Sequence, residues 1–263
     1  MQSLIDIGAN LTHDSFNHDI SNVLQNAESA GICSIIVTGT SVAESERALE
    51  LANKYPQLLY ATAGIHPHYA KNLEEGSINA LRKIAACNKI IAIGECGLDY
   101  YRNFSSKSDQ ITAFSMQLEL AAEINLPVFL HQRKAHTDFV KLLKPMRHRL
   151  KGGVAHCFTG GLEQLYAYLQ MDLYIGITGW LCDEKRGASL RKSVPQIPLE
   201  RLLLETDAPY LMPKDLPNKP SSRRNEPKHL PHILKKLSEI LNIPELKIAE
   251  ASRVNAQQLF GLN

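Results

Sequence analysis

The chain has 263 residues, 44% hydrophobic and 21% charged, the composition of a globular protein rather than a disordered or fibrous one. That length suits two small domains or one β/α barrel of about 250 residues, and a formal net charge of +2 argues against a dedicated duplex-binding surface while leaving room for an enzyme that grips a few phosphates. Five cysteines (Cys33, Cys87, Cys96, Cys157, Cys182) without a CxxC pair argue against a disulfide framework, and neither a signal-peptide pattern nor a run of ~18 apolar residues is visible, so the expectation is a cytoplasmic protein with reduced thiols and no membrane association.

Taken in chain order, short apolar runs predict strands at Leu4–Gly8, Cys33–Thr38, Leu59–Gly64, Ile90–Gly94, Pro127–His131, Gly153–Cys157, Leu173–Ile177 and Leu202–Glu205. They are continuous rather than alternating, as expected of parallel strands buried on both faces. Helical spacing fills the intervals. In SVAESERALELANKY, Ala48, Leu51 and Ala52 share a face, and Ser41 precedes Glu44 by three residues as in a capping box. In FSMQLELAAEIN, Phe114, Leu118, Ala121 and Ala122 recur at helical spacing. After the last strand, the Pro-rich basic stretch Pro209–Pro231 reads as a long active-site loop. HILKKLSEIL, with its stripe of Ile233, Leu234, Leu237 and Leu241, and VNAQQLFGL, ending at Gly261, read as the closing helices. No linker divides the chain, so residues 1–263 are expected to form a single domain.

Eight strands alternating with helices predict an α/β protein with the (β/α)8 TIM-barrel fold; a doubly wound open sheet is the competing architecture. Four runs end in a residue able to bind a metal: Glu95 in KIIAIGECGLD, His131 in PVFLHQ, His156 in GGVAHCF and Asp207 in LLLETDAP. A polar residue ending a buried run is costly unless something satisfies it, and a shared ion would satisfy all four. A barrel gathers such strand ends at one mouth, which favours it over the open sheet. Two imidazoles and two carboxylates suit zinc, manganese or magnesium without choosing among them.

The segments DIGANLT, AGIHPH, AIGECGLDY, FLHQR, AHCFTG, YIGITGW and ETDAPYL, in this order and spacing, resemble the TatD family of metal-dependent deoxyribonucleases. The loop KPSSRRNEPKHLPHIL puts the chain closest to the member that gives the family its name. The resemblance covers essentially the whole chain. It implies a barrel of the metal-dependent hydrolase (amidohydrolase-like) type, Mg2+ as cofactor with Mn2+ or Zn2+ as its replacements in a crystal, and 3′→5′ exonuclease action of a monomer on single-stranded DNA. Some members also act on RNA, and a role in DNA repair or degradation suits the family. It also implies Glu95, His131 and His156 as metal ligands, and Asp207 as metal ligand or catalytic carboxylate. Glu205, two residues before Asp207, is expected on the same face of the strand, as a direct or supporting catalytic acid.

One departure stands out. Where many relatives carry an HxH pair at the end of the first strand, this chain has Gly8 and Asn10. A second ion is therefore expected to bind weakly or to arrive with the substrate; Asn10 still offers an amide oxygen and Asp6 a carboxylate. Four residues are expected at the substrate: His66 of GIHPH on the phosphate or leaving group, Arg133 as a planar fork for phosphate, Trp180 stacking on a base and Arg224 tracking the backbone from the basic loop. His68 reads as a solvated loop residue, and Cys96 and Cys157 as small core packers. Two other functions stay open at this point: a metal-dependent esterase such as an aminoacyl-tRNA deacylase, and a catalytically weak nucleic-acid-binding protein.

Overall fold

The structure, a computed structural model, describes residues 3–217, 220 and 222–262; Lys219 and Ser221 of the KPSSRR loop lie outside the described residues. Eight strands are hydrogen-bonded in chain order: β1 (Leu4–Ala9), β2 (Ile32–Val37), β3 (Leu59–Ala63), β4 (Ile90–Asp99), β5 (Val128–Arg133), β6 (Gly153–Ala155), β7 (Tyr174–Ile177) and β8 (Leu202–Leu204). They alternate with α1 (Ile20–Ser29), α2 (Val42–Lys54), α3 (Ser77–Ala85), α4 (Lys107–Glu123), α5 (His136–Met146), α6 (Leu162–Gln170), α7 (Ala188–Ser193) and α8 (Leu230–Leu241), and α9 (Glu245–Phe260) closes the chain. The pairings β3–β4, β4–β5, β5–β6 and β7–β8 are parallel, and Ala9 at the end of β1 bridges Ala208 after β8, also in parallel. This is the strand order of a (β/α)8 barrel. Every residue of β1 and β4 is buried, which is why the strands read as continuous apolar runs.

Cα packing divides the chain into two compact units. The first comprises residues up to 36, 157–169 and 174 onward. Within it, α9 is latched to β8 by polar groups: Ser252 Oγ accepts from Leu204 N (3.1 Å), and Asn255 Nδ2 donates to the carbonyls of Leu199 (2.7 Å) and Leu202 (2.9 Å). Asp6, fully buried in β1, accepts from Thr206 N (2.9 Å), Thr206 Oγ1 (2.6 Å) and Gly8 N (3.3 Å). It therefore fixes the residue between Glu205 and Asp207, a structural role in place of one at the mouth of β1. The long loop after β8 is pinched at its base by Asn225, whose backbone N donates to Pro209 O and whose Nδ2 donates to Thr206 O, each at 2.9 Å.

The second unit comprises residues 37–156 with 170–173. Ser41 caps α2 by accepting from Glu44 N (3.1 Å), the local half of the expected capping box. The buried face of α4 carries two glutamines with no solvent exposure. Gln117 exchanges hydrogen bonds with the backbone of Ile65 (2.7 and 3.0 Å), and Gln110 does the same with Asp99 (2.8 and 3.2 Å). One helix thus holds the chain where it leaves β3 and β4.

The prediction for the fourth strand differs most from the structure. β4 ends at Asp99 rather than Gly94, so Glu95 lies inside the strand and not at its end. Its register on β5 advances from Ile93–Val128 to Cys96–Leu130, one extra residue on β4. Such a bulge re-aims side chains. Gly94 (φ +145°) belongs to it, and a Cβ there would collide with Phe129 O.

Candidate active site

Within the second unit, three imidazoles converge on a single carboxylate oxygen. Glu95 Oε1 lies 2.8 Å from His131 Nδ1, 2.8 Å from His156 Nε2 and 3.2 Å from His66 Nε2. Each partner comes from a different strand exit: His66 just after β3, His131 from β5, His156 just after β6. Asp99, at the end of β4, adds a second carboxylate, with Oδ2 2.8 Å from His68 Nε2 and 3.4 Å from His131 Nε2.

Burial disfavours a charge on Glu95, but His156 and His66 beside it and the bonds from His131 and His156 outweigh that cost and hold its carboxyl well below the usual range. Burial likewise opposes ionisation of Asp99, and bonds from His131 and His68 outweigh it, so Asp99 is also depressed. Burial acts to lower His131, yet its bonds to Asp99 and Glu95 raise it overall. For His66 burial wins: helped by His131 and His68, it exceeds the pull of Glu95 and brings the ring down to about 4. His66 is therefore neutral at pH 7.

A divalent cation fits this arrangement. A carboxylate oxygen of Glu95 and one ring nitrogen each from His66 and His131 lie within 4.8 Å of one another. His131 Nε2 is buried and faces Asp99 Oδ2 at 3.4 Å, which leaves Nδ1 as the ring nitrogen turned to an ion beside Glu95. His66 nevertheless differs from its neighbours. The backbone N of His68 donates to His66 Nδ1 at 3.1 Å. A nitrogen that accepts carries no proton, so the neutral ring is protonated on Nε2 and presents N–H, not a lone pair, toward Glu95. His131 and His156, through the nitrogens turned to Glu95, could hold an ion with it, and His66 offers a donor beside them.

Within the first unit, Asp207 follows β8 in the left-handed region (φ 54°). Its Oδ1 accepts from Asn10 Nδ2 at 3.0 Å and its backbone N donates to Gly8 O at 2.8 Å. Asn10, expected to offer an oxygen to an ion, turns its amide nitrogen to Asp207 instead. Glu205 is fully buried and accepts from Cys157 N through Oε1. The strand ends at Leu204, so the two-residue alternation that would set Glu205 and Asp207 on one face does not extend to them. Glu205 is a backbone-binding acid.

The residues expected at the substrate fare differently. The Arg133 guanidinium lies 4.1 Å from the ring centroid of Tyr101, which is 60% exposed. Trp180 carries Arg186 over one face of its ring at 4.3 Å and donates from Nε1 to Arg186 O (3.2 Å). Arg224 departs from expectation: its fork grips Asp19 at 2.8 and 2.7 Å and Glu226 at 2.9 Å, and its plane lies over Phe16. It anchors the loop to the start of α1 instead of facing a phosphate backbone. His68, read from sequence as solvated, is tied to Asp99, with Phe104 edge-on to it at 4.8 Å. Cys96 is a buried packer whose thiol burial pushes up.

Asp99 and His68 are the members that sequence reading missed. The signal for Asp99 was present: in GECGLD, alternate residues Glu95, Gly97 and Asp99 share a strand face once β4 is allowed to run on.

A profile of the family described as TatD related DNase matches residues 5–261. The chain is 50% identical over 259 residues to the protein named 3′-5′ ssDNA/RNA exonuclease TatD of Edwardsiella piscicida, covering 98% of this chain and 100% of that one. A protein of the same name from Escherichia fergusonii is 46% identical over 260 residues, covering 99% and 100%. Among solved structures, a TatD family hydrolase from Entamoeba histolytica superposes with a TM-score of 0.90 at 33% identity, covering 98% of each chain. A TatD homologue from Escherichia coli K12 gives 0.89 at 31%, covering 99% of this chain and 98% of that one. The chain therefore belongs to the TatD-related DNase family.

Proposed function

We propose that this protein is a metal-dependent 3′→5′ exonuclease of single-stranded DNA that also accepts RNA, with Mg2+ as its ion. The observation that carries the proposal is the convergence of His131 and His156 on ionised Glu95, in a chain half identical to proteins named for that activity. Glu95, His131 and His156 would hold a divalent ion, which would supply polarisation of the phosphoryl oxygen and acidification of water. Asp99 orients His131 from its far side, as outer carboxylates do for ligating histidines. His66 Nε2–H, turned to Glu95 in the free protein, passes to a phosphate or leaving-group oxygen when substrate binds. Asp207, oriented by Asn10, takes the proton from the attacking water. Glu205 supports this by holding the Cys157 backbone next to His156. The exposed ring of Tyr101 under Arg133, and the recess lined by His68, Tyr69, Lys71, Asn72 and Phe104, combine aromatic faces with cations, the chemistry that holds single strands.

The test is a 5′-labelled single strand incubated with Mg2+. A ladder shortening from the 3′ end is expected, abolished by EDTA and by Asp207→Ala. An intact strand under every metal condition, or unchanged cleavage by Asp207→Ala, overturns the proposal or its acceptor respectively. Release of an amino acid from charged tRNA with intact RNA would point to an esterase instead.

A further inference from the structure

A second group of metal-binding side chains lies within the first unit and shares no residue with the Glu95 cluster. Cys182 ends the short 3-10 helix Gly179–Cys182, Asp215 sits in the loop after β8, and His232 lies in the first turn of α8. One ligand atom from each, a thiol sulfur, a carboxylate oxygen and an imidazole nitrogen, falls within 4.8 Å of the others. We propose that Cys182, Asp215 and His232 form a binding site for a thiophilic divalent cation of the zinc class, clasping the long loop after β8 to α8.

The surroundings hold the three donors in place. Asp183, next to Cys182, binds Lys214, next to Asp215, at 2.8 Å, and also Arg186 at 2.6 Å. Sequence neighbours are thus paired in step, which fixes the loop position that brings Asp215 to Cys182. On the third side, His232 Nε2 is 2.7 Å from Asp215 Oδ1. Lys236, one turn along α8, stands 3.4 Å from the other oxygen, Oδ2. A carboxylate with one oxygen toward the ion and the other held by a cation is a usual outer arrangement of metal ligands.

The donor chemistry selects the ion. Magnesium and calcium take oxygen ligands, whereas sulfur, nitrogen and oxygen together suit zinc, with a fourth tetrahedral position for water. Cys182 is buried to 2% exposure, while the side chains of Asp215 and His232 are 31% and 21% exposed, so an ion has a route in from solvent. On binding, the S–H bond breaks, its proton passes to solvent, and the sulfur lone pair forms the bond to the metal.

The test uses the full chain, stripped by chelator and titrated with Co2+ as a coloured stand-in for zinc. Wild-type protein is expected to develop a thiolate-to-cobalt charge-transfer band that added Zn2+ removes and excess Mg2+ does not. Cys182→Ser is expected to lose the band. Asp215→Asn, at an exposed loop position, is expected to weaken Co2+ binding by about tenfold or more. Glu95→Ala is expected to retain the band, which separates this site from the catalytic one. No thiolate band in wild type, a band surviving Cys182→Ser, or wild-type titration by Asp215→Asn would each overturn the proposal.

Discussion

The backbone N–H of His68 settles which nitrogen of His66 carries a proton, and with it what His66 can do. Proximity alone places its Nε2 among prospective metal ligands. The hydrogen bond into Nδ1 makes it a donor instead. His66→Ala is therefore expected to keep the affinity for the divalent ion within about twofold while lowering kcat by roughly 10²–10³, the loss typical of one transition-state donor. Metal titration alongside steady-state rates on a short DNA strand separates the two effects; a loss of metal binding in parallel with rate would return His66 to the ligand set. Little of this was readable from the residues. GIHPH marks a site, but the tautomer depends on a turn geometry. Glu95, His131 and His156, by contrast, were legible because each breaks an apolar run.

Among the elements, the loop after β8 shows how a charge pattern can mislead. A basic run beside an active site reads as a nucleic-acid contact, yet Arg224 is only 19% exposed and spends its fork on Asp19 and Glu226, partners 205 and two residues away in the chain. These acids lower in turn: the bond from Arg224 holds Asp19 below the usual carboxylate range. Arg224→Ala is expected to cost about 2 kcal/mol of stability, because it removes the partner of Asp19 and leaves Glu226 with Lys228 alone of its two cations. Chemical denaturation measures this, and the affinity for single-stranded DNA of the folded variant should stay within about threefold. A large loss of affinity without destabilisation would restore the phosphate-tracking role. α4 teaches the same lesson. Gln110 and Gln117 face inward to bind the exits of β4 and β3, so a strict apolar stripe understates its buried face. The strands were easier to place, since burial on both faces leaves its mark on every residue of β1 and β4 and on most of the others.

For the whole molecule, pH reports on the acid buried in β1. Burial pushes Asp6 up from 3.8 to about 7, against the hydrogen bonds from Thr206 and Gly8. In the unfolded chain it ionises near 3.8. The folded form thus holds the proton more tightly, and the stability this lends is complete below about pH 4 and lost as pH rises through about 7. The shift corresponds to roughly 4 kcal/mol at most. Relative to wild type, Asp6→Asn is expected to gain stability steadily over that window, read as the difference in urea midpoints. A constant difference from about pH 4 to 8 would show that Asp6 does not carry the proton. The order β1 to β8 was legible at this scale from alternation together with the ligand-type residues that end several strands, which favour a barrel over an open sheet. The extension of β4 past Glu95 to Asp99 was not, because a bulge interrupts the pattern that marks a strand.

The central claim is that Glu95, with His131 and His156, holds the ion that drives phosphodiester cleavage. Its most direct test is the rate of nucleotide release from single-stranded DNA as Mg2+ is raised, for wild type and for Glu95→Gln. The variant keeps the shape of the side chain and removes its charge. The account predicts saturable Mg2+ activation in wild type and a loss of about 10³-fold or more in the variant at any Mg2+ concentration. Release by Glu95→Gln within about tenfold of wild type, with the same Mg2+ dependence, would contradict it.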